Sequence, residues 1–140
     1  MKAFVVDASV AAKWFVPELH WAQANRLLDP EFVLHAPELL LAEIGNMFWK
    51  RVRRLELESQ KASEVIQGLA GFRIELIRSQ ELIGMALDLA VFLDHPIYDC
   101  FYLAAAVERG APVVTADARF ATVVAKTRYA RHIRWIEDDL

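Results

Sequence analysis

Four acidic side chains stand at positions from which a folded chain could bring them together. Asp7 and Asp117 each follow a short apolar run, whereas Glu43 and Asp99 interrupt longer apolar stretches. Carboxylates gathered in one crevice repel one another strongly unless a divalent cation neutralises them. Oxygen-only ligands suit Mg2+ or Mn2+, and two such ions can activate water and stabilise the leaving oxygen in phosphodiester hydrolysis. The four residues therefore predict a catalytic metal site.

Glu43 is informative because its surroundings are so apolar. It lies between residues 39–42, which are all Leu or Ala, and Ile44, and this predicts that the helix is largely buried there. A buried carboxylate costs several kcal/mol unless a cation or strong donors meet it. We therefore expect Glu43 to have a partner. Asn46, one helical turn later on the same face, could support the same site.

Each acid taken alone also has an ordinary structural interpretation. Asp7 could form a turn at the end of a strand, and Glu43 could be the buried partner of an arginine. Asp99 and Asp117 could cap the helices that follow them. Asp99 also begins an alanine-rich helix, whose N-terminal dipole favours an anion. The combination of all four acids is what favours a shared site.

The elements that must position these acids alternate between short apolar runs and helical patterns. Strands are predicted at residues 3–6, 32–34, 74–77, 112–115 and 133–136. Helices are predicted at residues 9–15, 18–28, 37–54, 59 or 63 to 71, 80–93, 98–108 and 118–126. Ser9 is the expected N-cap of the first helix, and Pro37 is expected in the first turn of the third. This alternation predicts an α/β fold, a three-layer sandwich around a mostly parallel sheet of about five strands.

The predicted sheet also suggests where the acids meet. In open α/β sheets, ligands bind beyond the carboxyl ends of the strands, near the point where the strand order reverses. Asp7 ends the first predicted strand, and Asp117 lies two positions beyond Thr115, at the end of a later strand. If these two strands are neighbours, both carboxylates face one crevice.

Composition sets limits on the function. The chain has 140 residues and is 56% hydrophobic, so we predict a single domain over residues 1–140 and further apolar surface for a partner chain. A net charge of -3 argues against a protein that coats nucleic acid by bulk positive charge. Cys100 alone cannot form an intrachain disulfide. The sequence shows no signal-peptide core or membrane-spanning stretch, which predicts a cytoplasmic protein without membrane contact.

Other polar residues have both a functional and a structural interpretation. Lys13, Arg51 and Arg119 could contact phosphates at the rim of the crevice, or they could be ordinary surface charges. The four histidines are scattered without metal-ligand spacing and are predicted to be structural: His20, His35, His95 and His132.

Four short segments carry the acids in a fixed order along the chain. They are Val5-Val6-Asp7-Ala8-Ser9-Val10 with Lys13-Trp14, Pro37-Glu38-Leu39 leading to Glu43 and Asn46, Tyr98-Asp99 opening the alanine-rich helix, and Thr115-Ala116-Asp117 with Phe120. In this order and spacing they resemble the PIN-domain family, especially the VapC-type toxins. The resemblance spans residues 4–120, which is most of the chain.

The resemblance implies a fold, an activity and partners. It implies a five-stranded parallel sheet between helices, dependence on Mg2+ or Mn2+, and endonucleolytic cleavage of single-stranded or loop RNA. It also implies a homodimer and a VapB-type antitoxin whose C-terminal segment lies in a groove near the active site. The residues implied to be catalytic and to hold the metal are Asp7, Glu43, Asp99 and Asp117, with Ser9 and Thr115 as polar supports. Residues 55–79 carry no motif that identifies a target RNA.

Three other functions share part of this pattern. A PIN-like module that binds a partner protein and cleaves nothing is argued against by the intact set of acids. A HAD-like phosphatase also has an acid at the end of its first strand, but it needs a second acid two positions on, where this chain has Ser9. A response-regulator receiver needs an acidic pair at the first strand and a lysine after the last, and neither is found.

Overall fold

Parallel strands form the centre of the molecule, which the computed structural model describes over residues 2–140. The strands are β1 (Lys2–Val6), β2 (Phe32–Pro37), β3 (Ile74–Ile77), β4 (Val113–Thr115) and β5 (Ile133–Trp135). Their order across the sheet is β3-β2-β1-β4-β5, and each neighbouring pair is parallel. The predicted fold class, an α/β sandwich around a five-stranded parallel sheet, is confirmed.

Within the described residues, seven α-helices flank the sheet. They are α1 (Ala8–Ala11), α2 (Trp21–Arg26), α3 (Leu39–Arg53), α4 (Ser59–Leu69), α5 (Ser79–Leu93), α6 (Ile97–Arg109) and α7 (Ala118–Ala125). Short 3-10 turns occupy Ala12–Trp14 and Ala130–His132. None of the helices found between residues 2 and 140 has the length and apolar character needed to cross a membrane.

Strands β1 and β4 are buried on both faces, as expected for a parallel sheet covered by helices. Val5, Val6, Val113 and Val114 are at most 1% exposed. The two strands pair directly, with Val5 opposite Val113 and Val6 opposite Val114. Strand order reverses between them, because β2 lies on the other side of β1 and β5 on the other side of β4. The carboxyl ends of β1 and β4 therefore meet at the point where open α/β sheets bind ligands.

Helix α6 is the most deeply buried helix among the described residues. Every residue from 100 to 106 is buried, and three consecutive alanines, Ala104–Ala106, provide the small side chains that let a helix lie close to its neighbours. The helix ends at Gly110, which has a φ of 61°, a conformation that glycine adopts without steric penalty. The backbone N–H of Ala111 then donates to the carbonyl of Ala106 at 3.0 Å. This ending turns the chain directly into β4.

The start of α3 differs from the prediction. Pro37 is not in the first turn of a helix but is the last residue of β2, where it pairs with Ile77. The next N–H, that of Glu38, donates to the Ile77 carbonyl at 2.9 Å, and α3 begins only at Leu39. Proline is tolerated here because the strand ends before its missing N–H matters.

The segment after β1 also differs from the prediction. Asp7, not Ser9, occupies the N-cap position of α1. The helix predicted at residues 9–15 is a four-residue α-helix followed by a 3-10 turn. Residues 18–20 are not helical, because His20 has a left-handed backbone with a φ of 67°, and α2 begins after it.

Apolar surface remains after the core is filled, as the composition predicted. A groove of about 390 Å³, here called the α3–α4 groove, is lined by Leu40, Leu41, Ile66, Leu69, Ala70, Phe72, Ile74 and Leu76. A second exposed apolar surface, here called the α5 face, consists of Ile83, Leu87 and Val91, which follow one another at four-residue spacing along the same side of α5. Contiguous exposed apolar surface of this kind marks a candidate site for a protein partner.

Candidate active site

Asp7 is buried at the carboxyl end of β1, with only 5% of its surface exposed. The hydroxyl of Thr115 donates to its Oδ2 at 2.6 Å, and the hydroxyl of Ser9 donates to the same oxygen at 2.9 Å. Neither hydroxyl uses Oδ1. The two residues predicted as supports therefore contact Asp7 directly and leave one carboxylate oxygen for another ligand.

The hydroxyls of Ser9 and Thr115 also tie β1 to the loop after β4. Ser9 Oγ accepts from the backbone N–H of Ala116 at 3.0 Å, and Thr115 Oγ1 accepts from the N–H of Asp117 at 3.0 Å. A hydroxyl that accepts a backbone N–H has its own proton free to donate elsewhere. Both protons are directed at Asp7, so its carboxylate is fixed relative to the loop that carries Asp117.

Glu43 lies on α3 and is half-buried. The prediction that its helix is largely buried there was wrong, since Leu41 is 47% exposed. Glu43 nevertheless has the expected partner, and it is not an arginine: the phenol of Tyr102 donates to its Oε1 at 2.6 Å. Tyr102 is fully buried, and sequence reasoning missed it. The available signal was a tyrosine one turn after Asp99 in a very apolar helix, because a buried phenol needs a hydrogen-bond partner.

Asp99 lies in the first turn of α6. It is not the N-cap, a position held by Pro96. Its Oδ2 contacts Nε2 of His95 at 2.7 Å, and the His95 side chain is only 7% exposed. The His95 ring stacks on Phe120, with 5.5 Å between ring centroids and an interplanar angle of 24°. His95 was predicted to be merely structural, so its contact with a candidate site residue is a finding of the structure.

Asp117 is the N-cap of α7, and its Oδ1 accepts from the backbone N–H of Phe120 at 3.1 Å. The capping interpretation considered for this residue is therefore correct for one of its two oxygens. The side chain lies at the end of β4 next to the end of β1, as the crevice prediction required. It is linked to Asp7 through Thr115 rather than by direct contact.

Charge–charge interactions link three of the four acids. Burial raises the pKa of Asp7 to about 6; the hydrogen bonds from Thr115 and Ser9 oppose this, and the charges of Asp99 and Glu43 add to it. Burial also raises the pKa of Glu43, with a further contribution from Asp99. The charges of Asp7, Glu43 and Asp99 thus act on one another, whereas Asp117 is linked to Asp7 only through Thr115. Convergence of all four acids on one metal site stays a prediction.

The donor chemistry of this crevice fits a divalent cation. Within residues 2–140, no three Asp, Glu, His or Cys side chains are already close enough to form a ready-made metal site. The acids nevertheless offer only oxygen atoms, which Mg2+ and Mn2+ prefer. The buried Asp7 receives hydroxyl donors but no cationic side chain among its side-chain hydrogen bonds. A cation would relieve both its burial and the repulsion from its neighbours.

The predicted rim cations differ in their surroundings. Lys13 pairs with Glu18 at 3.3 Å, and Arg51 pairs with the other carboxylate oxygen of the same residue. Sequence reasoning missed Glu18, which lies 33 residues from Arg51 along the chain. Arg119 is exposed in the first turn of α7, and Asn46 is exposed on α3. Their roles in binding or support stay predictions.

The buried carboxyl of Asp7 predicts a pH-dependent stability. Its folded-state pKa of about 6 lies above the ordinary value of 3.8, so the folded protein holds this proton more tightly than the unfolded chain does. The resulting stabilisation, on the order of 3 kcal/mol, is complete only below the unfolded pKa of 3.8 and is lost as the pH rises through the folded pKa. Urea denaturation in EDTA should therefore show Asp7→Asn gaining stability over the wild type between pH 4 and 7. If the difference in unfolding free energy between the two proteins stays the same from pH 4 to 7, the raised pKa of Asp7 is contradicted.

Known proteins match this chain in sequence and in fold. Residues 4–126 match the family model of the PIN domain. Ribonuclease VapC3 from Pyrobaculum aerophilum is 33% identical over 119 residues, which cover 84% of this chain and 91% of that protein. These matches agree with the resemblance seen in the acidic segments.

Solved structures share the fold at lower sequence identity. VapBC2 from Rickettsia felis, bound to a DNA fragment from its promoter, has a TM-score of 0.67 and 13% identity, covering 95% of this chain and 98% of that chain. VapC20 from Mycobacterium tuberculosis, described as a toxin that cleaves the sarcin-ricin loop, has a TM-score of 0.63 and 17% identity. The match covers 85% of this chain and 93% of that chain. The fold, the order of the acids and the sequence matches agree, and the chain belongs to the PIN-domain family.

Proposed function

We propose that this protein is an endoribonuclease that depends on Mg2+ or Mn2+ and acts in the cytoplasm as the toxin of a VapBC-type toxin–antitoxin pair. The observation that carries the proposal is the buried Asp7 carboxylate at the switch point of the sheet, which the hydroxyls of Thr115 and Ser9 hold in place with no cationic side chain among its hydrogen bonds. A relative at 33% identity is named a ribonuclease, which supports the same activity.

The four acids share one proposed role: Asp7, Glu43, Asp99 and Asp117 would hold a divalent cation. A divalent cation supplies a stronger water nucleophile and stabilises charge that develops on phosphate oxygens. Ser9 and Thr115 keep the Asp7 carboxylate in one orientation. The phenol of Tyr102 does the same for Glu43.

Positive side chains near the crevice would position the RNA backbone. Arg119 is exposed two residues after Asp117 and is, of the three predicted cations, the most open to a phosphate. Lys13 and Arg51 both pair with Glu18, so an RNA phosphate would have to displace the Glu18 carboxylate before it could bind either of them. Phosphate contacts position a nucleic acid without reading its sequence. Because the net charge of the chain is -3, binding of RNA would depend on these local cations and not on the overall charge.

The two apolar surfaces would bind protein partners. We place the antitoxin in the α3–α4 groove, because Leu40 and Leu41 line it and stand next to Glu43 on the same helix. An apolar peptide segment bound at Leu40 would lie one helical turn from Glu43. We place a second copy of this chain on the α5 face, where Val91 is 75% exposed and Leu87 is 55% exposed. The proposed assembly is a homodimer with one antitoxin segment for each active site.

The test is direct cleavage of RNA by purified protein that is free of bound inhibitor. Structured and single-stranded RNAs are incubated with Mn2+ or Mg2+, and the fragments are mapped to single-nucleotide resolution. We expect discrete internal cuts by the wild type and none by Asp99→Asn at the same concentration. If folded wild-type protein cuts no RNA yet still binds its antitoxin, the non-catalytic binding module becomes the better interpretation.

A further inference from the structure

The turn between α5 and α6 presents a histidine to the start of α6. Asp94 has a left-handed backbone with a φ of 50°, and the N–H of His95 donates back to the carbonyl of Ala90 at 3.1 Å. Pro96 follows at the N-cap of α6. These constraints reverse the chain sharply and leave the His95 side chain 7% exposed. A polar ring buried in this way needs defined partners.

The first partner of His95 is the Asp99 carboxylate, at 2.7 Å from Nε2 to Oδ2. An ionised carboxylate can only accept hydrogen bonds, so the proton of this contact belongs to Nε2. The contact occupies Oδ2 and leaves Oδ1 free of this histidine. Asp99 is 26% exposed, so without His95 its carboxylate could rotate into solvent-facing orientations.

The second partner of His95 is the ring of Phe120, which is fully buried. The backbone N–H of Phe120 in turn donates to Oδ1 of Asp117 at 3.1 Å. Asp99 and Asp117 stand on different helices, and the unbroken series of contacts from Asp99 through His95 and Phe120 reaches Asp117. One imidazole therefore touches both the carboxylate of one acid and the residue that orients another.

We propose that His95 is a positioning residue that fixes the Asp99 carboxylate and, through Phe120, the placement of Asp99 relative to Asp117. The inference rests on the proposed function, since it assumes that these acids hold a divalent cation. In this role His95 acts through the Asp99 carboxylate, to which its Nε2 donates, and not as a ligand of the ion. Groups that hydrogen-bond to metal-binding carboxylates commonly change metal affinity by about 10–100-fold when they are replaced.

Three substitutions separate hydrogen bonding from packing. His95→Phe keeps an aromatic ring next to Phe120 but has no donor for Asp99. His95→Gln supplies an N–H at nearly the reach of Nε2, whereas the amide of His95→Asn is too short to reach Asp99. The Gln and Asn variants are both polar and neutral, so they differ mainly in reach. They serve as a matched pair if His95→Phe does not fold.

Binding of Mn2+ is measured by titration calorimetry without RNA, and the melting temperature is measured in EDTA. We expect His95→Phe and His95→Asn to bind Mn2+ at least about 10-fold more weakly than the wild type, with His95→Gln close to the wild type. At saturating Mn2+, RNA cleavage by His95→Phe should have a lower kcat than cleavage by the wild type, with little change in KM. These measurements concern the metal site itself, so they remain informative if the wild type cuts none of the tested RNAs.

Either of two results overturns the inference alone, without affecting the proposed function. The first is Mn2+ binding by folded His95→Phe or His95→Asn with wild-type affinity, which would assign His95 to packing alone. The second is equal loss of affinity in the Gln and Asn variants, because reach to Asp99 would then not matter. Absence of Mn2+ binding by the wild type would reject the inference together with the metal-dependent part of the proposed function.

Discussion

Replacing Asp7 by asparagine is expected to abolish RNA cleavage while making the metal-free protein more stable. The substitution removes a proposed metal-binding charge, and a loss of several kcal/mol of transition-state stabilisation lowers the rate on the order of 1000-fold or more. It also removes a carboxylate that is 5% exposed and whose pKa is raised to about 6. At pH 7 the gain in stability should approach about 3 kcal/mol, with losses from imperfect hydrogen bonding reducing it.

The measurements for this variant are RNA cleavage rates and urea denaturation in EDTA at pH 7. Asp139→Asn is a matched control, since Asp139 carries the same chemical group on the exposed C-terminal segment. The control should leave both the rate and the stability near wild-type values. Wild-type cleavage by Asp7→Asn, with contaminating nuclease excluded, would remove Asp7 from the proposed mechanism.

Removing divalent cations is expected to have an effect of similar size. EDTA should stop cleavage completely, and excess Mn2+ or Mg2+ should restore it, because the crevice otherwise holds repelling carboxylates that no bound cation neutralises. The same ions should stabilise the fold by about 2.7 kcal/mol at a concentration 100 times the Kd. Asp7→Asn should lose most of this stabilisation.

The matched control for chelation is EDTA that has been saturated with Mg2+ beforehand, which has no capacity left to remove ions from the protein. It should leave cleavage unchanged. Rates are followed by gel in parallel with melting curves on the same samples. Cleavage that continues at its full rate in excess EDTA would reject metal catalysis and would point to side chains of this chain alone.

Much of the fold followed from local patterns, and the errors came from contacts with distant residues. Apolar β-branched runs correctly identified all five strands of the described chain. Pro37 was misplaced because its role depends on pairing with Ile77, which is remote in sequence. The pairing of β1 with β4, which the crevice required, could be stated only as a condition, because strand order is a property of the whole sheet.

The candidate site shows the same limit. The acids stood out because charge is unusual in apolar sequence, a property visible residue by residue. Tyr102 was missed because its partner, Glu43, lies 59 residues away. His95 lies only four residues before Asp99, but Pro96 between them indicates the start of a new helix. Helical i, i+4 spacing therefore gave no reason to pair the two residues.

The tight packing of α6 has a consequence for how such a protein can vary. Residues 100–106 are all buried, and the close-packed interior of a protein resists even one added methylene. A bulkier side chain at Ala104 or Ala105 would push the whole helix outward, and Asp99 would move with it. The substitutions that this helix tolerates are therefore limited by side-chain volume. A larger apolar side chain far from any charged residue would then reduce activity as removal of an acid does.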